Sequence, residues 1–370
     1  MSYPSYLTRI RKAYLTFRLY GFTRTYIKVF GRIRFRGMPR FPLTLSPSHR
    51  TIGIVGCGQF STSAIGYFLK KNRGNVIAAC YDIDPVPRDS FAWYYRCKSC
   101  ASFDQLITLK NIDLIYIASN HASHTDYALK CLANGIAVFV EKPLSTSVAQ
   151  FKELRETLTA KPESKIFLGY NRPFAPAIRE LRTALLNHKG PITLSCFITG
   201  HKLSKDHWYR RPEEGTRICG NVGHWIDLAI HLMWTKELKP ETVNIQLTYG
   251  DLSEPDDNLV ISMASNLGDV VSIGLSSRGE PFEGINETIN CQCNDLICKI
   301  DDFRRMTLWQ NNQLSKRRYF RKDVGHELSV LQPFTTFKRD WKEIEISTSL
   351  MLAIAQLVVD KKSHGSVTLA

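Results

Sequence analysis

Gly53-Ile54-Val55-Gly56-Cys57-Gly58-Gln59-Phe60-Ser61 sets two glycines between an apolar run that reads as a short buried strand, 51–55, and a periodic run that reads as a helix, 59–71. A chain passing from strand to helix within three residues needs a tight turn, which Gly56 permits. Gly58 lets the backbone approach a pyrophosphate, and the helix that follows, opened by Gln59 and Phe60, aims its N–H groups and positive dipole end at that phosphate. Ser61 takes the third glycine's place in the G-x-G-x-x-G spacing and is still small enough for helix-to-strand packing. The next strand, 76–81, ends in Asp82, about 26 residues after Gly56, where a carboxylate can bind both ribose hydroxyls of a dinucleotide. That carboxylate repels a 2′-phosphate, so NAD is favoured over NADP. Arg88 opposes this preference, and Asp84 is the alternative ribose ligand. Two glycines alone are also compatible with a phosphate-free turn.

Outward from this segment, strands at 113–118, 137–140 and 165–168 alternate with helices at 124–133 and 148–158, the pattern of a parallel, doubly wound sheet of Rossmann type. After a helix at 174–187 the chain becomes strand-rich: 192–198, 242–248, 258–264, 270–276, 287–292 and 296–300, interrupted by a helix at 222–234 and closed by one at 347–359. Period-two alternation there implies a large, mostly antiparallel open sheet. The expected fold is thus α/β: a Rossmann domain at 49–172, then an α+β substrate domain at 173–370 whose last helix is free to pack back on the first.

The net charge of +15 belongs to one end. Fourteen Lys or Arg precede the first acidic residue, Asp82, and eleven lie within residues 1–50. Nucleic-acid binding is not expected, because no recognition motif accompanies the charge. Within this 1–48 extension, Leu7, Ile10, Tyr14 and Phe17, then Tyr26, Ile27, Phe30 and Ile33, fall at helical spacing among basic residues. Two basic amphipathic helices follow, ended by Pro39, Pro42 and Pro47. Residues 1–45 are read as packing on the body or on a second subunit, as lying on an anionic membrane, or as a mitochondrial transit peptide. A chain starting near Pro47 is expected to keep its dinucleotide fold.

Ten cysteines, several in apolar runs, suit a reduced cytoplasm, with the arm as an optional contact to the inner face of a membrane. Cys97 and Cys100 have C-x-x-C spacing without a second pair, so no metal is expected. Cys291 and Cys293 alternate along a strand.

At the fourth and fifth strands the sequence resembles the Gfo/Idh/MocA oxidoreductases, the glucose-fructose oxidoreductase and inositol dehydrogenase type. The resemblance is carried by Ala118-Ser119-Asn120-His121 with His124, by Glu141-Lys142-Pro143, by Gly169-Tyr170-Asn171-Arg172-Pro173 and by the stretch from Arg217 through Asn221 and His224 to Asp227. It covers roughly residues 50–335 and implies a nicotinamide cofactor, with Ser119, Asn120, His124, Glu141, Lys142 and Asn171 at its site. Lys142 lies where ligands bind in such sheets, able to take the proton of a secondary alcohol as hydride leaves. His224 is paired with it as general base in oxidation and general acid in reduction.

Many relatives carry an aspartate four residues before the histidine and some a glutamate at the next position; here these are Gly220 and Asn221. Asp227 is then a candidate orienting partner for His224, with a helix-packing role as the equal alternative. Trp208 offers a stacking face, and Arg210, Arg211 and Arg217 a clamp for a diphosphate or carboxylate. The resemblance implies a homo-oligomeric dehydrogenase or reductase of sugars or nucleotide-linked sugars, in surface-polysaccharide assembly. The alternative, motivated by the missing acid, is a nicotinamide-binding sensor or scaffold without turnover.

Overall fold

In the computed structural model, residues 6–34, 39–40, 49–280 and 284–369 are described. They form two units, Met1–Gly169 with Glu327–Lys338, and Tyr170–His326 with Arg339–Ala370.

The first unit opens with helices α1 (Tyr6–Tyr20) and α2 (Phe22–Ile33). Six parallel strands follow: β1 (Ile52–Val55), β2 (Ile77–Tyr81), β3 (Lys98–Ser99), β4 (Leu114–Ile117), β5 (Ala137–Val140) and β6 (Ile166–Leu168), in the order β3-β2-β1-β4-β5-β6. β1 and β4 are buried at every position, as strands covered on both faces must be. The order reverses between β1 and β4, so the loops after them open side by side, the switch point at which such sheets bind ligands. Helices α3 (Gly66–Arg73), α4 (Pro85–Tyr95), α5 (Phe103–Ile107), α6 (His124–Ala133) and α7 (Val148–Ala160) complete the layers. The single helix expected at 59–71 runs instead through a π turn, Ser61–Ile65, before α3.

The two basic arm helices are present, and α2 belongs to the core. Ile27 and Phe30 are fully buried in one cluster with Ile54, Ile65, Phe68 and Tyr95, and the Phe30 ring lies 4.3 Å from that of Tyr94. A chain starting near Pro47 would therefore leave part of this core uncovered, contrary to the expectation from sequence. Tyr14 on α1 and Phe22 on α2 stay exposed, at 57% and 59%. The side chains of Leu7 and Ile10, and Pro42 and Pro47 altogether, lie outside the described residues.

The sequence partition placed one boundary at 172/173, but the chain returns. Lys71 Nζ lies 2.8 Å from Glu327, the Tyr116 hydroxyl donates to the Val330 carbonyl at 2.7 Å, and Gln332 Nε2 donates to the Leu168 carbonyl at 2.9 Å. Pairings this far apart along the chain leave no local signature in composition.

The second unit carries a nine-stranded sheet: β7 (Thr193–Thr199), β8 (Thr242–Tyr249), β9 (Leu259–Ser265), β10 (Val270–Ser276), β11 (Asn286–Cys293), β12 (Leu296–Asp301), β13 (Arg305–Gln310), β14 (Gln313–Arg318) and β15 (His364–Thr368). Its order is β14-β13-β12-β11-β7-β10-β9-β8-β15; β7 and β10 pair in parallel and the other neighbours antiparallel. On β11, Ile289, Cys291 and Cys293 point inward and Gln292 outward. Helix α8 (Pro176–Leu185) packs on β12, and α9 (Gly223–Met233) packs against both β10 and the final long helix, Trp341–Val359. That last helix stays with the second unit.

Among the described residues no helix is long and apolar enough to cross a membrane, and no group of His, Cys, Asp or Glu is arranged to hold a metal ion.

Candidate functional site

The glycine turn is fixed by its neighbours. Gly56 has φ 81°, and a Cβ there would collide with the Ala118 carbonyl, so the turn after β1 presses directly on the loop after β4. A Cβ on Gly58 would meet nothing within 4 Å. The turn is therefore closed on the sheet side and open where a pyrophosphate belongs. Gly58 and Gln59 open the helix, so their N–H groups have no acceptor within it. The residues present thus fit a dinucleotide.

Asp82, at the end of β2, accepts the Cys57 N–H at 2.6 Å and the Asp84 N–H at 2.9 Å. Asp84 caps α4 by accepting the Val86 N–H at 2.9 Å, a role that leaves Asp82 as the carboxylate beside the turn. Sequence reasoning missed the groups behind the turn. Arg34, just past α2, donates to the Cys57 carbonyl, Thr62 Oγ1 and Ser90 Oγ. Thr62 Oγ1 donates to the Gly58 carbonyl at 3.0 Å. A basic residue among ten in the arm carries no signal that distinguishes it.

The loops after β4 and β5 are tied together by His124, which is buried. Its Nδ1 lies 2.7 Å from the Pro143 carbonyl and its Nε2 3.2 Å from that of Ser119. Carbonyls only accept, so the shorter contact places a proton on Nδ1. Gly56, Ser119, His124 and the Glu141-Lys142-Pro143 segment thereby form one continuous edge. Ser119 Oγ pairs with Ser123 Oγ, which in turn donates to Asn120 Oδ1, and Lys142 is half-buried. Glu141 is buried, and burial pushes its carboxyl up to about 7 against the opposing Lys142 charge and N–H. Gly169 makes room for it: a Cβ there would stand 2.5 Å from Glu141 Oε1.

In the second unit, His224 stands in the first turn of α9, directly after a second π turn, Ile218–Val222, that carries Asn221. π turns recur at functional positions because they re-aim side chains. The His224 ring meets Tyr170 edge-on at 5.4 Å. Trp225, beside it, donates to Glu287 at 2.7 Å, and Glu287 also receives both guanidinium ends of Arg172. This buried trio, also absent from the sequence reading, anchors the start of α9.

Several residues expected at a ligand are committed elsewhere. Asp227 is fully buried and accepts two bonds from Arg339 and one from Ser347, so it braces α9 against the last helix. Arg217 is buried against Asp257, and Arg210 binds Asp257 and the carbonyls of Ser204 and Leu203. Asn171 is buried and donates to the Val324 carbonyl. Motif resemblance and loop composition placed these polar groups near the site; the structure gives each an internal partner, as burial requires. Trp208 is half-buried and meets Tyr209 edge-on at 4.3 Å, while Arg211 is exposed.

Residues 50–170 match the model of an oxidoreductase family with an NAD-binding Rossmann fold. Over these residues the chain is similar to the Gfo/Idh/MocA oxidoreductases. It is 27% identical over 138 residues to inositol 2-dehydrogenase of Gluconacetobacter diazotrophicus, covering 37% of this chain and 41% of that enzyme. It is 37% identical over 139 residues to trans-1,2-dihydrobenzene-1,2-diol dehydrogenase of Xenopus laevis, covering 36% and 41%. The match thus spans about two fifths of the length of these curated relatives. The fold is similar to that of UDP-N-acetylglucosamine 3-dehydrogenase GnnA from Acidithiobacillus ferrooxidans, with TM-score 0.66, 16% identity, and 85% of this chain and 98% of the other covered.

Proposed function

We propose that this chain is an NAD(P)-dependent dehydrogenase or reductase acting on a secondary alcohol or ketone of a sugar or nucleotide-linked sugar. The observation that carries this reading is the continuous edge from the open glycine turn through Ser119 and His124 to Glu141 and Lys142. Relatives named as polyol dehydrogenases and a fold shared with a UDP-sugar dehydrogenase support the substrate class. A place in surface-polysaccharide assembly belongs to the same proposal.

When bound, the nicotinamide accepts or donates hydride. Gly56, Gly58, Gln59 and Phe60 would hold the dinucleotide's pyrophosphate, Asp82 its ribose, and Ser119, Asn120 and Glu141 would contact its nicotinamide half. Lys142 hydrogen-bonds the reacting oxygen and relays its proton, while His224 acts as general base in oxidation and general acid in reduction. Trp208 and Arg211 remain as contacts for the sugar or its phosphates. The Asp82 carboxylate disfavours a 2′-phosphate, so NAD is the preferred cofactor, and Asp82→Ala should raise the relative efficiency with NADP. An unchanged NAD to NADP ratio would remove Asp82 from the ribose contact.

The test is NADH absorbance across a panel of polyols, free sugars and nucleotide sugars. Turnover on a member of the panel supports the enzyme. Binding of NADH without turnover on any member favours a sensor or scaffold, the reading that Gly220 and Asn221 in place of an acid would explain.

Two partners belong to this proposal. The outward face of β7, β9, β10 and β11 presents Phe197, Val260 and Val270 among Ser, Thr, Asn and Gln with no charged side chain, which suits a second copy of the chain. The exposed aromatics of α1 and the start of α2, set among basic residues, suit an anionic membrane surface.

A further inference from the structure

Arg34 ends α2 in a left-handed conformation, φ 56° and ψ 24°, with its N–H held by the Phe30 carbonyl. Glycine commonly fills that position after a helix, because a Cβ there crowds the following carbonyl. The arginine is kept in this posture by its side chain. One terminal nitrogen donates to the Cys57 carbonyl at 2.7 Å, the other to Thr62 Oγ1 at 2.9 Å and Ser90 Oγ at 3.2 Å.

Cys57 is the residue between the two glycines, and its backbone is gripped from both ends. Asp82 takes its N–H and Arg34 its carbonyl. In a trans peptide the carbonyl and the next N–H point in opposite directions. A Cys57 carbonyl anchored toward Arg34 therefore turns the Gly58 N–H away from the arm, and Gly58 is the residue with open space around its Cα. The helix itself touches the turn: a Cβ on Gly31 would lie 3.6 Å from Thr62 Cβ and 3.7 Å from the Gln59 carbonyl.

We propose that Arg34 is a positioning residue for dinucleotide binding, which makes α2 of the basic arm a working part of the cofactor site. This rests on the dinucleotide reading of the glycine turn. Arg34 pre-sets the peptide that presents the Gly58 N–H, so the bound dinucleotide need not order it. Linkage makes the effect mutual: the factor by which a docked α2 tightens the dinucleotide is the factor by which the dinucleotide tightens the docking of α2.

The experiment is NADH titration of the full chain by fluorescence, with wild type, Arg34→Ala and Arg34→Lys, alongside hydrogen exchange of α2 with and without NADH. Arg34→Ala should weaken NADH binding about tenfold or more, the scale of a lost charge-assisted hydrogen bond. Guanidinium chloride at concentrations well below denaturation should restore part of that affinity, a rescue that a merely structural loss would not show. NADH should slow exchange in α2 of the wild type and have less effect in Arg34→Ala. If Arg34→Ala melts below the assay temperature, Arg34→Lys is read in its place, with weaker binding expected because an ammonium cannot span three acceptors in one plane. Wild-type affinity in these variants, or α2 exchange indifferent to NADH, overturns the proposal while leaving the dinucleotide reading intact. A wild type that binds no dinucleotide overturns both.

Discussion

Lys142 and Glu141 are adjacent residues with opposite demands. Lys142→Ala should lower kcat at least about a hundredfold, the usual worth of a positioned proton transfer, while NADH affinity stays within several-fold; retained activity removes it from the mechanism. Glu141 is held neutral by burial, with its carboxyl at about 7 instead of 4.5. A carboxyl raised in the fold keeps a proton that the unfolded chain has lost. Its stabilising contribution is therefore complete below about 4.5 and is lost as pH rises through about 7. The melting temperature of the apoprotein should fall across that window, and Glu141→Gln should flatten this part of the profile. An unchanged slope in the variant assigns it to other groups. The Glu141-Lys142-Pro143 motif, directly after a strand, marked these residues in the sequence as candidates through the family resemblance. It could not distinguish Lys142 from Asp227, Arg217 or Asn171, whose commitments to Arg339, Asp257 and Val324 arise only when distant segments meet.

Among elements, the strands and helices with clear periodicity were legible, including β4, β5, α6 and α9. β13 and β14 were not, since β14 lies at the sheet edge with both faces exposed and no alternation to read. The arm shows the same limit: helical spacing announced α1 and α2 but not which of them the core needs. Starting the chain at Phe22 should therefore preserve the fold and NADH binding, whereas Phe30→Ala should cost about 3–5 kcal/mol as a large-to-small change in a packed core. Denaturant unfolding measures both. On vesicles with acidic lipid, the full chain should sediment at low salt and release as salt rises, and the chain starting at Phe22 should bind less. Equal binding by the two would place the contact outside α1.

For the whole molecule, the charge-free outer face of β7, β9, β10 and β11 predicts self-association. Light scattering should report a homo-oligomer, and Phe197→Glu, which puts a charge at a residue 55% exposed in the single chain, should split it while leaving the melting profile of each unit little changed. A monomeric wild type would leave that face without a partner copy. The return of Glu327–Lys338 to the first unit bears on how the protein is made. Gly169 leaves the ribosome long before Glu327, and at about 5–20 residues per second the intervening stretch takes roughly 10–30 s to synthesise. Throughout that interval the nascent cofactor unit waits without the segment that receives the Tyr116 hydroxyl and binds the Leu168 carbonyl. The unit translated first is thus completed by a segment that emerges only after eight of the nine strands of the other unit's sheet.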